Sequence, residues 1–288
     1  MKQLYQLSLL IMAVFTGISC NNRSSSRNQP EASNKIGPEF EEVKKAFINL
    51  SDFPTDQENF ILLFDGSSLK GWRGYGKDHL PEKWSIENGI LHLNSSATGE
   101  GGDIIFASLF RDFELELEWK ISKGGNSGIF YHTREITTRD MNGKNRLEPI
   151  YISALEYQIL DDEHNPDAKL GKVNSRISGS LYDIIPAIPQ IAKPFGKWNK
   201  TKITVRRGHV IHELNGSKVM ECQLWTPEWK ERLQESKFSE MKWPLAFELL
   251  NNRDEKARQG YIGLQDHGHD VWFRNIRIKT TQRREEKR

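Results

Sequence analysis

Three polar clusters in the sequence combine residue types suited to acid–base chemistry on a sugar. The first spans residues 124–134, where two glycines precede Asn126 and allow the backbone to approach a ligand or to turn tightly. Asn126, Tyr131, His132 and Arg134 offer hydrogen-bonding groups for hydroxyls. The same pattern fits a bulged hairpin with inward Ile and Phe side chains, and the residues alone leave both interpretations open.

The second cluster, residues 154–162, places Glu156 and Gln158 on one face of a predicted strand, with apolar neighbours on the other. A carboxyl that is partly buried there has a raised pKa, as a general acid or base at neutral pH needs. The alternative is that Glu156 lies on a solvent-exposed, convex face of the sheet and is not buried. The acidic run that begins at Asp161 could bind a hard cation, although an acidic solvent loop suits its spacing better.

The third cluster, residues 263–270, puts Gln265 and His267 on one face if the strand continues, and Gly268 permits a bend before His269. A lone His is usually a structural residue. Here a Gln, an Asp and a second His lie beside it, so a functional role for His267 stays open. The His and Asp residues could also ligate a transition metal, but no third ligand follows from the spacing.

Strands position all three clusters. Residues 113–121 alternate apolar and charged side chains, the pattern of a strand with one buried and one wet face. Asn88-Gly89 and Asn215-Gly216, each between two strand-like runs, predict tight hairpins. Closely spaced strands without intervening helices predict an all-β antiparallel sandwich or jelly roll.

Two segments are predicted to be helical. Residues 39–50 place four apolar side chains on one helical face, which predicts a short helix within residues 38–55 that docks on the domain. The second segment is 226–240, where Thr226 suits an N-cap and Pro227 suits the first helical position.

The N-terminus resembles that of an exported bacterial lipoprotein. Residues 1–19 read as a signal peptide, with Lys2 followed by a 12-residue apolar run that is too short to span a bilayer core of about 30 Å. Cys20 resembles the lipid-attachment cysteine of such proteins, and residues 20–37 predict a flexible polar tether. We therefore expect a lipid anchor in the cell envelope, with the chain facing the periplasm or the cell surface.

Composition excludes several classes of protein. Forty-one Lys and Arg against 39 Asp and Glu give a net charge of +2, which is too balanced for an electrostatic nucleic-acid binder. Two cysteines cannot build a disulfide scaffold, and the strand-like surroundings of Cys222 favour a small buried residue over a nucleophile. Sequence motifs of serine hydrolases, P-loop proteins and zinc peptidases are absent. Residues 56–280 predict one domain, followed by a charged tail, 281–288.

Eight stretches, in order along the chain, resemble the bacterial 3-keto-disaccharide hydrolase domain family. They are Phe64-Asp-Gly-Ser-Ser-Leu-Lys-Gly-Trp72, Gly125-Asn-Ser-Gly-Ile-Phe-Tyr131, Glu156-Tyr-Gln-Ile-Leu-Asp161, Gly179-Ser-Leu-Tyr182, Lys197-Trp-Asn199, Asn215-Gly216, Leu264-Gln-Asp-His-Gly268 and Phe273-Arg-Asn-Ile276. The resemblance implies a concanavalin A/laminarinase-like jelly roll with a carbohydrate cleft. It also implies hydrolysis of glycosides that are oxidised at C3, by C2 proton abstraction, β-elimination and hydration.

By matching position, the resemblance implies that Glu156 and His267 form the acid/base pair, in either order, with Asp161 assisting. The residues that it implies for substrate binding are Asn126, Tyr131, Gln158, Tyr182 and Gln265. A divalent metal ion could stabilise the enediolate, but neither its ligands nor any other cofactor follows from the sequence. Two other functions stay open: a non-catalytic carbohydrate-binding domain and an ordinary glycosidase, which would need a second carboxylate across the cleft.

Overall fold

Strands make up most of the computed structural model, which describes residues 40–43, 47–252, 254 and 258–280. Its strands are β1 (Phe40–Glu42), β2 (Ile61–Phe64), β3 (Trp72–Gly74), β4 (Trp84–Glu87), β5 (Ile90–Leu93), β6 (Ile104–Phe110), β7 (Phe113–Ile121), β8 (Asn126–Thr133), β9 (Ile136–Arg139), β10 (Asn145–Leu147), β11 (Leu155–Leu160), β12 (Asn199–Arg206), β13 (His209–Leu214), β14 (Ser217–Gln223), β15 (Gly260–Leu264) and β16 (Val271–Thr280). Its helices are α1 (Pro227–Glu235) and α2 (Pro244–Asn251).

Two large antiparallel sheets form the sandwich. An eight-stranded sheet has the order β14-β13-β12-β7-β16-β5-β4, with β2 also paired to β16, and a five-stranded sheet has the order β11-β8-β15-β6-β3. A small third sheet joins β1, β9 and β10. Neighbours in the sheets are mostly distant in sequence, as in a jelly roll, so the predicted all-β sandwich is confirmed.

Alternation along the strands builds the core between the sheets. In β7 every second residue from Phe113 to Ile121 is buried, and Trp119 of this set donates a hydrogen bond from Nε1 to Thr201 Oγ1 at 2.9 Å. In the five-stranded sheet, Tyr157 and Ile159 of β11 have no exposed surface. Their sheet therefore presents the intervening residues of β11 on its outer face.

Both predicted hairpins are confirmed. Asn88-Gly89 joins β4 to β5 and Asn215-Gly216 joins β13 to β14, and all four residues have positive φ, between 51° and 86°. This is the backbone conformation of the two-residue turn that matches the twist of paired strands.

The helix predicted within residues 38–55 is wrong where the structure describes this segment. Residues 40–42 form β1, whose Phe40 pairs with Thr138 of β9, and a single 3-10 turn occupies Leu50–Asp52. Four apolar residues over twelve positions fit a helical face, but the free edge of β9 offers backbone hydrogen bonds that a short isolated helix cannot match. The segment nevertheless docks on the domain, since Phe40 and Leu50 pack against the core.

The inserted helix is confirmed in α1, where the Thr226 hydroxyl accepts a hydrogen bond from Trp229 N–H at 3.2 Å. It ends at Glu235 rather than near residue 240, and a second helix, α2, follows that the sequence did not predict. No helix within the described ranges is long and apolar enough to cross a membrane. The predicted signal peptide, Cys20, the tether and the charged tail lie outside the described residues.

Candidate active site

The outer face of the five-stranded sheet has an apolar half and a polar half. Ile105, Phe130 and Tyr261 point outward from three neighbouring strands, and Ile150 and Ala154 cover them in a small second core. Further along the same strands, the residues that point outward are polar or are glycine. The polar half is formed by Asp103, Asn126, Gly128, Glu156, Gln158 and Gln265.

Register places these residues side by side. Gln158 of β11 pairs with Gly128 of β8, and Gln265 N–H donates to Gly128 O at 3.0 Å. Leu264 pairs with Ile104 of β6, so Gln265 lies next to Asp103. Three sequence-predicted substrate-binding residues, Asn126, Gln158 and Gln265, are thus brought together with Glu156, and all four side chains are largely buried.

Glu156 has the electrostatic properties of an acid–base group. Burial raises its pKa to about 8, while the charge of Lys237 opposes this rise and the charges of Asp103 and Asp167 add to it. Its carboxyl leans over Gly128, where a Cβ would overlap Oε1. The Gln158 side-chain amide satisfies both its oxygen and its nitrogen when the nitrogen faces the neighbouring acceptors. In this orientation the nitrogen donates to Ser127 O at 3.1 Å and to Glu156 Oε1 at 3.2 Å.

An unpaired polar atom lies across Gly128 from Glu156. Gln265 Oε1 is buried and has no hydrogen-bond partner among the described residues. A buried acceptor without a partner costs about 1–3 kcal/mol, so a ligand hydroxyl at this position would be favourable. Gly128 lets such a ligand lie close to the sheet, because it adds no side chain between Gln158 and Gln265.

Tyr182, which the resemblance implied for substrate binding, lies beside Glu156. Its backbone N–H donates to Glu156 O at 3.0 Å, and its hydroxyl donates to Asp167 Oδ2 at 2.9 Å. Burial, followed by the charge of Asp167, raises the pKa of Tyr182, so the phenol stays protonated at neutral pH. Arg176 fixes this arrangement by pairing with Asp167 at 2.8 Å and with Asp183 at 2.6 Å.

Sequence reasoning missed Lys237, which follows α1. Its Nζ lies 4.2 Å from the ring centroid of Tyr182, 4.9 Å from that of Phe238 and 5.6 Å from that of Tyr151. The side chain is half-buried, and its charge is close enough to lower the pKa of Glu156. No motif marks this residue, because the inserted segment rather than a strand brings it to the site.

Asp103 is the second missed carboxyl. It directly precedes β6, on the opposite side of Gly128 from Glu156, and accepts Asp266 N–H at 2.9 Å. Burial raises its pKa to about 7, with the charge of Asp266 contributing. Glu156 and Asp103, two carboxyls that can be protonated near neutral pH, therefore lie on either side of Gly128.

His267 is exposed, whereas Glu156 is buried. Glu156 pairs with Phe130, which pairs with Gly263, and His267 is four residues beyond Gly263, up to about 13 Å along an extended chain. Its ring stacks on that of His269 with centroids 6.1 Å apart. The structure thus places His267 at the end of the same face without joining the two residues in a hydrogen bond.

Two other predicted residues have structural partners. Tyr131 was predicted to bind substrate, but it points into the core with no exposed surface and its hydroxyl lies 2.9 Å from His212 Nε2, so this prediction is wrong. Asp161 accepts Gly124 N–H at 2.7 Å and contacts His164 Nδ1 at 3.0 Å. Burial would raise its pKa, but these two partners outweigh burial and hold the pKa below its ordinary value. Asp161 therefore fixes the turn before β8.

Other chemical groups do not form a competing site. Cys222 lies in β14, as its pattern predicted, and burial raises its pKa to about 12. A cavity of about 380 Å³ lies on the eight-stranded sheet and contains Glu116 and Glu118. Burial opposes their ionisation, but Arg277 and Arg274 outweigh it and lower both pKa values. Within the described ranges, no group of three or more His, Cys, Asp or Glu residues is placed to hold a metal ion.

Comparisons with known proteins agree with the fold. The family model of the 3-keto-alpha-glucoside-1,2-lyase-like domain matches residues 59–279. A curated 3-keto-disaccharide hydrolase of Bacteroides thetaiotaomicron is 52% identical over 285 residues, which cover 96% of this chain and 98% of its own. A crystal structure of a candidate glycosyl hydrolase from Parabacteroides distasonis, 26% identical, gives a TM-score of 0.62 over 77% of this chain and 94% of its own. Another from that organism, 27% identical, gives 0.51 over 77% and 98%.

Proposed function

Because the chain belongs to the 3-keto-alpha-glucoside-1,2-lyase-like domain family, we propose that it hydrolyses 3-keto-glycosides, including 3-keto-disaccharides. It is an enzyme of the glycoside-cleaving class. The proposal rests on the surroundings of Glu156. This carboxyl is buried, its pKa is raised to about 8, and it lies over Gly128, which is flanked by the side-chain amides of Gln158 and Gln265. A site for binding alone has no need of such a carboxyl.

Proton abstraction is the first step of the proposed mechanism. A ketone at C3 acidifies the C2 hydrogen, and the Glu156 carboxylate takes this proton while negative charge develops on the C3 oxygen. A buried carboxylate suits the task, since its raised pKa makes it a stronger base. Gln158 beside it orients the carboxyl through the amide contact to Oε1.

Elimination and hydration complete the reaction. The enediolate returns its electron pair to re-form the C3 ketone, a C1=C2 double bond forms and the bond from C1 to the leaving oxygen breaks. A general acid gives a proton to that oxygen. Water then adds to C1 and gives one proton back to the general acid, while Glu156 returns a proton to C2, so the sum of the steps is hydrolysis.

Asp103 is the acid that we assign to the leaving group. Because burial raises its pKa to about 7, about half of the Asp103 carboxyls are protonated at neutral pH, and Asp103 lies across Gly128 from Glu156. His267, the acid/base partner implied by the sequence resemblance, is the alternative donor at the open end of the face. Asp103→Asn and His267→Ala separate the two, because the true acid is needed more for a poor leaving group than for 4-nitrophenol.

The test uses the purified full chain with 4-nitrophenyl 3-keto-glucosides of both anomers, 3-keto-trehalose and their unoxidised parents, in deuterated water. We expect cleavage of keto compounds alone and deuterium at C2 of the released 3-keto-glucose. 3-Keto-glucose incubated with Glu156→Gln controls for spontaneous exchange. Cleavage of the parents would point to an ordinary glycosidase. Sugar binding without any cleavage would point to a carbohydrate-binding domain.

A further inference from the structure

Lys237 carries an ammonium group that lacks an oxygen partner. Its backbone N–H donates to Asp183 Oδ2 at 2.7 Å, but Nζ makes no hydrogen bond or ion pair to any residue that the structure describes. An ammonium has three N–H donors, and the aromatic rings of Tyr182, Phe238 and Tyr151 attract its charge without accepting these hydrogen bonds in full. The group is therefore held in position with donors available for a ligand oxygen.

The charges of Glu156 and its neighbours act on this ammonium. Burial lowers the pKa of Lys237, while the charges of Glu156 and Asp183 oppose that change. Arg176, which also lowers the pKa, is held by its own carboxylate partners. Three elements thus meet at the amine: β11 supplies the base, the segment beside β11 supplies Tyr182 and the segment after α1 supplies Lys237.

We propose that Lys237 binds the C3 oxygen of the keto sugar and stabilises the enediolate that Glu156 generates. This inference rests on the proposed function. C2 and C3 are bonded neighbours, so a base that reaches the C2 hydrogen places the C3 oxygen within a few ångströms of its own carboxyl. A cation beside that base, with unused donors, is where an oxyanion would be stabilised.

The role also explains how the site would select oxidised sugars. No covalent bond to the enzyme forms: the C2 proton moves to Glu156, and the resulting charge on the C3 oxygen is balanced by the Lys237 ammonium. In an unoxidised glycoside the C3 hydroxyl never acquires this charge. Lys237 would therefore contribute mainly to turnover of the keto substrate and little to binding of the parent sugar.

The test compares Lys237→Met with Lys242→Met in the full chain. Methionine keeps the apolar stem over the rings. The side-chain amine of Lys242, in the same insertion, bonds only to Ser236 O among the described residues. We expect Lys237→Met to lower kcat on 4-nitrophenyl 3-keto-glucoside by about a hundredfold or more, the size of an oxyanion-donor loss. Inhibition by the unoxidised 4-nitrophenyl glucoside should stay within about twofold of wild type. Lys242→Met should leave both unchanged.

Two further measurements keep the inference testable if Lys237→Met is unstable. Lys237→Arg retains the charge and should recover part of the lost kcat, and C2 deuterium exchange in 3-keto-glucose should fall in parallel with kcat. Wild-type kcat in Lys237→Met, or equal losses of kcat and parent binding, would overturn the assignment. So would borohydride trapping of a Lys237–sugar adduct, which would indicate an imine. Failure of the wild type to cleave keto substrates would instead refute the proposed function.

Discussion

Burial acts on Glu156 and Lys237 in the same way, although their charges are opposite. It disfavours the charged form of each, which raises the pKa of the carboxyl and lowers that of the amine. Their mutual attraction limits both shifts. The pair therefore combines a base that is stronger than an exposed Glu with a nearby cation, which is what enolisation of a ketone requires.

At the residue scale, we predict that Glu156 ionisation sets the acid limb of the pH–rate profile. Below its pKa of about 8, kcat/KM for 4-nitrophenyl 3-keto-glucoside, whose leaving group depends little on the Asp103 proton, should rise about tenfold per pH unit, and Glu156→Gln should lose at least about a hundredfold. Deprotonation of Lys237 should lower the rate again at higher pH. Steady-state rates from pH 5 to 10 measure both limbs. A rate that falls as pH rises through 8 would instead make Glu156 the acid.

The same pKa makes a prediction for stability. A carboxyl whose pKa is raised on folding stabilises the protein fully below its unfolded pKa, and this contribution is lost as pH rises towards the folded value. Between pH 4.5 and about 8, the free energy of unfolding of the wild type should therefore fall relative to Glu156→Gln, by up to about 1.4 kcal/mol per pH unit. Urea unfolding of both proteins measures the difference. A constant difference would show that Glu156 is not held neutral by the fold.

At the element scale, the side-chain alternation within β11 made Glu156 and Gln158 predictable. The residues that other strands bring to the site were not predictable, because they depend on strand order and register. The pattern of β11 placed Glu156 and Gln158 on one face, as the structure confirms. Asp103 lies 53 residues earlier in the chain and reaches the site only through three strand pairings that local sequence does not encode. Tyr131 was misplaced because every residue of β8 is buried, so its pattern does not show which face is the core.

A pair of glycines tests the division of the sheet into two halves. A Cβ on Gly128 would overlap the Glu156 carboxyl, whereas a Cβ on Gly263 would meet Ile150 Cδ1 at 3.1 Å in the apolar half. Gly128→Ala should therefore lower kcat by about tenfold or more, since even small displacements of a catalytic group are costly. Gly263→Ala should mainly lower stability and leave kcat within about threefold. The reverse pattern in kinetics and urea unfolding would contradict this division.

At the scale of the whole molecule, a strand of the sandwich carries the proposed base Glu156, and the inserted segment carries the cation Lys237. The apolar half of the outer face is covered by residues that precede β11, whereas the polar half contains Gln265 Oε1, a buried acceptor without a partner among the described residues. This arrangement leaves Glu156 at the boundary, buried enough to shift its pKa and still bordered by Gly128. The alternation of strands predicts the scaffold, whereas an insertion with no repeating pattern carries Lys237.

The proposed lipid anchor would determine where this enzyme meets its substrate, and the test is at Cys20. Cysteine is the only residue that can accept the diacylglyceryl thioether at that position, so Cys20→Ser should abolish labelling by an alkynyl fatty acid in the native host. Activity on 3-keto-glucoside should move from the membrane pellet to the soluble fraction. Cys222→Ser is the matched control, since Cys222 is half-buried in β14, and it should change neither result. Membrane sedimentation and labelling of Cys20→Ser at wild-type levels would show that another feature anchors the chain.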